Sequence, residues 1–251
     1  MMQQQQRTHL HQWNSCSLDR CGPVYILTLT GEGDHRFNPS SLDDILAALT
    51  VVEQSPEAGA LVTTNEGRYF SNGLDLKWVQ NSGSLSSLGV ILNKFHGLLS
   101  FIMKLGIPTI AAVCGHAAAG GFMLALAHDY RFMKNGRAVL YMSELDHGMN
   151  MPRSLMSATR SKLLPASLRE VVLKARKFTA SEAFEYGFVE GFYDESAKTV
   201  EVAIGEAEKL ASSKWKRESY ANLRAGAFPG VIEELDQAQR DPYVWPKGSK
   251  L

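Results

Sequence analysis

A stretch of small residues at positions 115–121 is the part of the sequence best suited to chemistry by the backbone. It consists of Gly-His-Ala-Ala-Ala-Gly-Gly, in which only His116 has a side chain larger than alanine. A ligand can lie against such a main chain, and Gly120-Gly121 then open a run of helix formers. The first N–H groups of a helix have no partner within it, and the helix dipole is positive there. This turn could hold an oxygen that becomes an anion; a turn used only for packing is the alternative.

A second glycine-containing turn, Phe70-Ser-Asn-Gly-Leu-Asp75, also follows an apolar run typical of a strand and leads toward a helix. If both strands lie in one parallel sheet, the two turns meet at its C-terminal edge, where ligands of open α/β sheets bind. One backbone N–H from each turn can then converge on a single oxygen. Neither turn has the Gly-x-Gly-x-x-Gly or Gly-x-x-x-x-Gly-Lys spacing of a phosphate-binding loop.

Glu144 is the candidate acid or base. It follows a predicted strand within the sequence Leu140-Tyr-Met-Ser-Glu-Leu-Asp-His-Gly148, in an apolar neighbourhood. Desolvation raises the pKa of a carboxyl group toward the range in which it both takes and returns a proton. A surface glutamate that starts a loop is the alternative. Asp146 and His147 are rival groups, and on an extended segment Asp146 shares the side of Glu144 whereas His147 does not.

The order of elements around these groups predicts an α/β fold with a helical C-terminal region. Strands are predicted at residues 24–29, 58–63, from 110, at 130–133 and at 138–141. A first helix is predicted to begin with Ser40 or Ser41 as its N-cap. Further helices are predicted at residues 88–104, 161–173, 180–186, 195–212 and 229–239. Strands alternate with helices in the first two-thirds of the chain, and helices alone fill the last third. We expect residues 1–20, which are polar, to be frayed, residues 21–195 to form the core, and residues 196–251 to form the helical region.

Composition and charge argue against several functional classes. The 251 residues include 26 basic and 26 acidic side chains, so nothing favours a nucleic-acid partner. No stretch reaches the roughly 18 consecutive apolar residues of a membrane span, and the N-terminus lacks the apolar segment of a secretory signal. The three cysteines have no ligand spacing, which predicts reduced thiols and no metal site.

Four ordered stretches between about residues 24 and 193 resemble the crotonase (enoyl-CoA hydratase/isomerase) superfamily. Arg36-Phe-Asn-Pro-Ser-Ser-Leu42 is similar to the family's first CoA-side loop, and the turn at 70–75 resembles its Phe-Ser-Ala-Gly-x-Asp turn. Residues 115–121 resemble its Gly-x-Ala-x-Gly-Gly-Gly turn, with Ala119 in place of the first of three glycines. Residues 178–189 are similar to its Ala-x-Glu-Ala-x-x-x-Gly-x-Val helix. Each motif is weak alone, but the order and spacing of all four are specific.

The resemblance implies a crotonase-type spiral of ββα turns, an acyl-CoA thioester substrate and a homotrimer or a dimer of trimers assembled through the C-terminal helices. It implies that the backbone N–H groups of Leu74 and Gly120 form an oxyanion hole. The implied substrate-binding residues are Arg36, Phe37, Asn38, Ser71, Asn72, Gly73, Asp75, Gly121, Phe122 and Met123. No metal or organic cofactor is implied, because the thioester itself accepts the developing charge.

Met123 is the departure that distinguishes between members of the family. Hydratases of the family use two glutamates, of which the first lies three residues after the middle glycine of the turn, where this chain has Met123. Glu144 fits the second if one residue is inserted at 134–137. Hydration needs one group to activate water and another to deliver a proton, whereas moving a double bond needs a single base that returns its proton elsewhere. The arrangement therefore resembles the isomerases that convert 3-enoyl-CoA to 2-enoyl-CoA, in particular their plant peroxisomal type.

Glu144 is accordingly predicted to take a proton from C2 of a cis- or trans-3-enoyl-CoA and return it to C4. An apolar lining would exclude water, and its candidates are Met123, Phe122, Met142 and Leu145. Two alternatives remain open. One is a hydratase or other crotonase-type lyase in which Asp146 or His147 replaces the missing glutamate, and the other is a non-catalytic acyl-CoA-binding protein.

The final three residues, Ser249-Lys250-Leu251, form the tripeptide that is read as a peroxisomal address. The preceding Pro246-Lys247-Gly248 should leave it exposed to the import receptor. We therefore expect the protein in peroxisomes, where β-oxidation of unsaturated fatty acids would use such an isomerase.

Overall fold

Ten strands and ten helices make up the part of the chain that the structure describes, which is residues 7–31, 33–84 and 86–240 of a computed structural model. The strands are β1 Thr8–Gln12, β2 Cys16–Cys21, β3 Val24–Leu29, β4 Ala60–Asn65, β5 Tyr69–Ser71, β6 Thr109–Val113, β7 His116–Ala118, β8 Tyr130–Lys134, β9 Leu140–Tyr141 and β10 Gly191–Tyr193. The helices are α1 Pro39–Gln54, α2 Leu76–Asn81, α3 Ser86–Lys104, α4 Gly120–Ala127, α5 Arg153–Ser161, α6 Pro165–Val172, α7 Ala180–Glu185, α8 Ser196–Ser212, α9 Arg217–Ala227 and α10 Val231–Arg240.

The strands form two sheets between which the chain alternates. The larger sheet has the order β1-β2-β3-β4-β6-β8-β10 and is parallel from β3 onward, and the smaller consists of the parallel strands β5-β7-β9. The pairs β4 and β5, β6 and β7, and β8 and β9 each place one strand in either sheet, and a helix follows each pair. This topology confirms the predicted α/β class and the spiral of ββα turns.

Helix α3 is the central helix of the main core. It packs against α1, α4 and α10, and Phe95 on it stacks on Phe37 with ring centroids 5.5 Å apart. By length and composition α3 could cross a membrane, but 61% of its most apolar window is buried inside the protein. Its apolar surface is therefore explained by the core, because the same side chains already lie against other helices.

Helix α8 covers a different face of the larger sheet, where it contacts β4, β6 and β8. Its Ala203 and Ala207 are fully buried in a second cluster that includes Val62 and Ile110. The small alanine side chains let the helix approach the sheet closely. The predicted helical C-terminal region thus packs against the rest of the chain, with α8 in this second cluster and α10 in the main core. It contains one helix, α9, that the sequence pattern did not predict. Residues 241–251, including the expected targeting tripeptide, lie outside the described residues.

The expectation of a frayed N-terminus is wrong for residues 7–20, and residues 1–6 lie outside the described part of the chain. Strands β1 and β2 form an antiparallel pair at the edge of the larger sheet. The polar composition hides this because one buried acid organises it: Asp19 accepts hydrogen bonds from Arg7 at 2.6 Å and pairs with His9 at 2.8 Å. Cys16 and Leu18 on β2 are completely buried.

Helix α1 begins with Asn38 as its N-cap rather than with Ser40 or Ser41. The Asn38 side chain accepts a hydrogen bond from the Ser41 N–H at 3.0 Å, and Ser41 Oγ accepts one from the Asn38 N–H at 2.9 Å. Two of the N–H groups at the helix start are satisfied in this reciprocal way. The Asn38 side chain, which was expected to bind substrate, therefore caps α1.

A buried ion pair between Asp129 and Arg224 fastens α9 to the core. Arg224 Nε donates to Asp129 Oδ1 at 2.7 Å, and its Nη2 donates to the Ile107 carbonyl oxygen at 2.7 Å. The Tyr220 hydroxyl also donates to Asp129 at 3.1 Å. Burial alone would raise the pKa of Asp129, but the Arg224 guanidinium and the nearby Lys162 hold it below its usual value.

We predict that Arg224→Met lowers the free energy of unfolding by about 3–5 kcal/mol at neutral pH, since it removes the ion-pair partner of the largely buried Asp129 carboxylate. The folded pKa of Asp129 is lowered, so its stabilising contribution exists above the ordinary carboxyl pKa and disappears as pH falls through the folded value. The difference between wild type and variant should therefore shrink in acid. Urea denaturation at several pH values measures it.

The matched control is Arg160→Met, because Arg160 is exposed on α5. Its substitution should change the free energy of unfolding by no more than about 0.5 kcal/mol. Equal stability of the Arg224→Met and Arg160→Met variants would contradict the role given to the buried pair.

Candidate active site

The two glycine-containing turns lie side by side because β5 pairs with β7 in the smaller sheet. Ser71 is opposite Ala117 in this pair. A Cβ on Gly121 would lie 2.1 Å from the Ser71 carbonyl oxygen, and one on Gly115 would lie 2.4 Å from that of Arg68. Only glycine permits backbones this close. The packing interpretation is therefore correct for Gly115 and Gly121, and this packing is what brings the turns together.

The backbone between these glycines is shaped for a ligand. Gly73 has φ +75°, and a Cβ there would lie 3.0 Å from the Gly120 nitrogen. Ala119, with φ +47° and ψ −117°, has a conformation that favours glycine. Within the described residues, the N–H groups of Leu74 and Gly120 have no hydrogen-bond acceptor. Gly120 is also the first residue of α4, where the helix itself offers its N–H no acceptor.

A cavity of about 230 Å³ lies against both turns. Its wall combines polar groups from the turns and from the segment after β9 with apolar side chains from α3 and α5. The lining residues are Arg36, Asn72, Leu74, Leu76, Leu88, Leu92, Phe95, Ala119, Gly120, Met123, Tyr141, Ser143, Glu144, His147, Met149, Asn150, Met151, Pro152 and Leu155. The cavity is mostly apolar with a few polar groups, as is usual for small-molecule sites.

Glu144 lines this cavity with its carboxyl group largely removed from solvent. Its Oε2 is buried and has no hydrogen-bond partner in the part of the chain that the structure describes. Burial raises the pKa of Glu144, although hydrogen bonds from the N–H groups of Glu144 and Ser143 act in the opposite direction. The direction is the one that the apolar sequence around Glu144 predicts, and it suits a group that takes and returns a proton.

The segment after β9 is a turn, so the expectation that Asp146 shares the side of Glu144 is wrong. The His147 N–H donates to the Ser143 carbonyl oxygen at 3.2 Å, and the Met149 N–H donates to that of Glu144 at 2.8 Å. This winding brings His147 to the cavity with Glu144, whereas Asp146 is exposed and does not line it. The glycine at position 148, one residue after His147, was the signal for a turn here.

Six of the predicted site residues line the cavity: Arg36, Asn72, Leu74, Gly120, Met123 and Glu144. Arg36 and Asn72 are joined through Asp34, which accepts from Arg36 at 3.1 Å and from Asn72 Nδ2 at 3.0 Å. This carboxylate connects the loop before α1 with the loop before α2. Both loops are thereby fixed at the same edge of the cavity.

The other predicted substrate-binding residues do not line the cavity. Ser71 Oγ donates to the His35 carbonyl oxygen at 2.7 Å and accepts from the Gly73 N–H at 3.1 Å. Asp75 is the N-cap of α2, where it accepts from the Trp78 N–H at 3.0 Å. The remaining ones shape the surrounding backbone or core; they are Phe37 against Phe95, Asn38 as the N-cap of α1, Gly73 beside Gly120, Gly121 beside Ser71, and Phe122 against Phe188.

The apolar lining also differs from the expectation. Met123 lines the cavity, but Phe122 and Met142 are buried in the core and Leu145 is 55% exposed. Leu88, Leu92 and Phe95 from α3 take their place, together with Met149, Met151 and Leu155. The spacing of four and three residues along α3 marks one helix face, and that face was the available signal. In the described residues no group of three His, Cys, Asp or Glu side chains is arranged to hold a metal ion.

Comparison with known proteins identifies the family. The sequence profile described as Enoyl-CoA hydratase/isomerase matches residues 31–233. The chain belongs to this family. Within the enoyl-CoA hydratase/isomerase family, it is 41% identical to Enoyl-CoA delta isomerase 2, peroxisomal, of Arabidopsis thaliana, over 85% of this chain and 92% of the relative. It is 38% identical to Enoyl-CoA delta isomerase 3 of the same organism, over 88% of this chain and 95% of the relative.

Solved structures agree on the fold. A probable enoyl-CoA hydratase from Mycobacterium tuberculosis H37Rv has a TM-score of 0.82 and 21% identity, covering 90% of this chain and 93% of that one. A family protein from Pseudomonas syringae has a TM-score of 0.81 and 23% identity, with 90% and 95% coverage. These similarities support the crotonase fold predicted from the four motifs.

We predict that Glu144→Gln stabilises the protein at neutral pH, because it removes a buried carboxylate whose Oε2 has no partner among the described residues. The folded pKa of Glu144 is raised, so the acid favours the folded state below the ordinary carboxyl pKa and loses that contribution as pH rises through the folded value. The gain in melting temperature should vanish in acid, as thermal unfolding across pH will show. Asp146→Asn, an exposed neighbour, is the control and should leave the melting temperature nearly unchanged at each pH.

Proposed function

We propose that this enoyl-CoA hydratase/isomerase family protein moves the double bond of cis- or trans-3-enoyl-CoA to give trans-2-enoyl-CoA. The observation that carries the proposal is the single buried carboxyl group of Glu144 in a cavity where position 123 is methionine. The Arabidopsis relatives at 38–41% identity are named enoyl-CoA delta isomerases, which favours the same reaction. The reaction needs one base, and the cavity offers one carboxylate.

In the proposed reaction the thioester oxygen accepts hydrogen bonds from the N–H groups of Leu74 and Gly120. Glu144 removes a proton from C2, and the electron pair of that C–H bond delocalises onto the thioester oxygen as an enolate. The protonated Glu144 then delivers the same proton to C4 while the double bond forms between C2 and C3. Fixed backbone donors stabilise the developing charge without reorganisation, and losing one such donor typically costs about 10²–10³ in rate.

Arg36 and Asn72, at the edge of the same cavity, are the proposed contacts for the polar part of the CoA ester. Both are held by Asp34, so their positions are set before a ligand arrives. Arg36 is one-third exposed, which leaves its guanidinium accessible to a phosphate oxygen. We propose that the reaction requires no metal or organic cofactor, since the thioester supplies the electron sink.

A hydratase is the second candidate, and His147 is the observation that favours it. This imidazole lines the cavity with Glu144 and could activate water in place of the missing glutamate. The apolar wall from α3 and α5 argues for the isomerase, since it leaves few groups to hold a water molecule. The two reactions differ in substrate, so they can be separated directly.

We predict that Glu144→Gln lowers kcat for 3-enoyl-CoA isomerisation by about 10²–10⁴-fold, because it removes the only carboxyl base among the described residues that line the cavity. The absorbance of the conjugated 2-enoyl thioester measures the rate. Asp146→Asn, which keeps the cavity intact, should retain wild-type kcat, and His147→Gln should lose far less than Glu144→Gln. Full isomerase activity in Glu144→Gln would rule out the assigned role.

The same preparations should be incubated with 2-enoyl-CoA. Stable absorbance supports the isomerase, whereas a decrease that His147→Gln abolishes would assign the protein as a hydratase. Binding of both esters with turnover of neither would assign a non-catalytic acyl-CoA-binding protein.

We also infer a peroxisomal location and a trimer or pair of trimers. Two of the Arabidopsis relatives carry the word peroxisomal in their names, and Ser249-Lys250-Leu251 have the sequence of the targeting tripeptide.

We predict that a fluorescent protein fused ahead of the chain moves into peroxisomes and that removing these three residues leaves it in the cytosol. Replacing Ser212, far from the tripeptide in the sequence, with alanine is the control. Import without the tripeptide would show that another signal directs the protein.

A further inference from the structure

A second cavity lies at the opposite end of the smaller sheet from Glu144. We call it the basic pocket; its volume is about 500 Å³, and its lining includes Arg68, His116, Lys134 and Arg137. These residues come from the beginnings of β5 and β7, the end of β8 and the turn before β9, whereas the turns of the candidate active site follow the ends of β5, β7 and β9. A strand of three residues spans about 10 Å, so the basic pocket is a distinct site.

The positive charge of the basic pocket is not neutralised within the described part of the chain. No ion pair there uses Arg68, Lys134 or Arg137. None of the residues that line the pocket is acidic. Asp194 does not line the pocket, but it accepts a hydrogen bond at 2.9 Å from Nδ2 of Asn135, which does. The whole protein has no net charge, so this concentration of cations is local.

Two rings, those of Tyr69 and the half-buried His116, lie close to the cations of the basic pocket. The Arg68 guanidinium lies 5.4 Å from the centre of the Tyr69 ring, and the rings of Tyr69 and His116 are 5.2 Å apart. Burial lowers the pKa of His116, and the charges of Arg68 and Lys177 lower it further. The part of this shift that comes from Arg68 and Lys177 is the effect of a positive field, and such a field favours a bound anion.

We propose that the basic pocket binds a phosphate group, either inorganic phosphate or a phosphate monoester of a small soluble molecule. Two guanidinium groups and an ammonium group provide forked and single N–H donors, which match the several oxygens of a phosphate. The volume leaves room for an organic substituent beside the phosphate. Cys114 lies in the same wall, but burial raises the pKa of its thiol, so it contributes a neutral side chain. The proposal is independent of the reaction assigned to Glu144.

Titration calorimetry of the full chain with inorganic phosphate, and separately with adenosine monophosphate, tests the proposal. We expect saturable binding of one phosphate group per protomer. Arg68→Gln combined with Arg137→Gln should weaken it by at least about tenfold, because charge-assisted hydrogen bonds are lost. Both side chains are exposed, which protects folding. Arg160→Gln is the matched control, since Arg160 is an exposed cation remote in the sequence from the pocket.

The imidazole resonances of His116 locate the bound anion. Bound phosphate should raise the pKa of His116, because the anion offsets the field of Arg68 and Lys177, and the double variant should lose most of this change. Tighter binding of adenosine monophosphate than of inorganic phosphate would identify a monoester as the preferred ligand, and the reverse order would identify the free ion. Absence of saturable binding, an unchanged His116 pKa, or equal weakening by Arg160→Gln would overturn the proposal.

Discussion

The close approach of Gly121 to the Ser71 carbonyl oxygen is the contact on which the rest of the site depends. It lets β5 and β7 pair so tightly that the turn after each strand reaches the same edge of a three-stranded sheet. Leu74 and Gly120, whose N–H groups have no acceptor within the described residues, then line one cavity. Because the geometry is carried by the main chain, the side chain at position 74 is less constrained, whereas alanine at position 119 keeps a backbone conformation that favours glycine.

Several features of the site reduce the stability of the folded protein. Backbone donors without acceptors, a positive φ at Ala119 and a buried carboxyl oxygen on Glu144 are each unfavourable in a folded protein. They persist because α3, α4 and the two sheets are held by an extensive apolar core. The site thus contains polar groups without hydrogen-bond partners among the described residues, at a cost in stability. This is expected where a bound ligand supplies those partners.

Much of the fold could be predicted from the sequence, because periodic apolar residues dominate its strands and long helices. The helix over 88–104 and the alternation of strands and helices correspond to α3 and to the spiral. The N-terminal hairpin could not be predicted in this way, since its polar side chains pair with Asp19 across the two strands and leave no apolar pattern along the chain. Helix α9 was missed for a similar reason: it buries little apolar surface, and polar contacts through Arg217, Tyr220 and Arg224 fix it to distant parts of the chain.

The residues of the candidate site could be predicted where they lie within short sequence motifs. Local motifs pointed to Leu74, Gly120 and Glu144, and all three line the cavity. His147 was placed on the wrong side since an extended segment was assumed where hydrogen bonds within the segment form a turn. The resemblance also implied that Ser71, Gly121 and Asp75 bind substrate, because they belong to the two turns. Their contacts in the structure are with other residues of the protein, and they do not line the cavity. Sequence neighbours of a site thus split into those that face it and those that support it.

Helix α3 forms both the centre of the core and one wall of the cavity, and this double use constrains how the protein can change. Leu88, Leu92 and Phe95 touch the cavity while being almost completely buried. A substitution that widens the pocket from this side also removes packing from the core. The part of the wall from Met149 to Met151 is partly exposed, so less core packing depends on its side chains. New preferences for the length of a bound chain should therefore arise by variation of that short segment, while α3 keeps its volume.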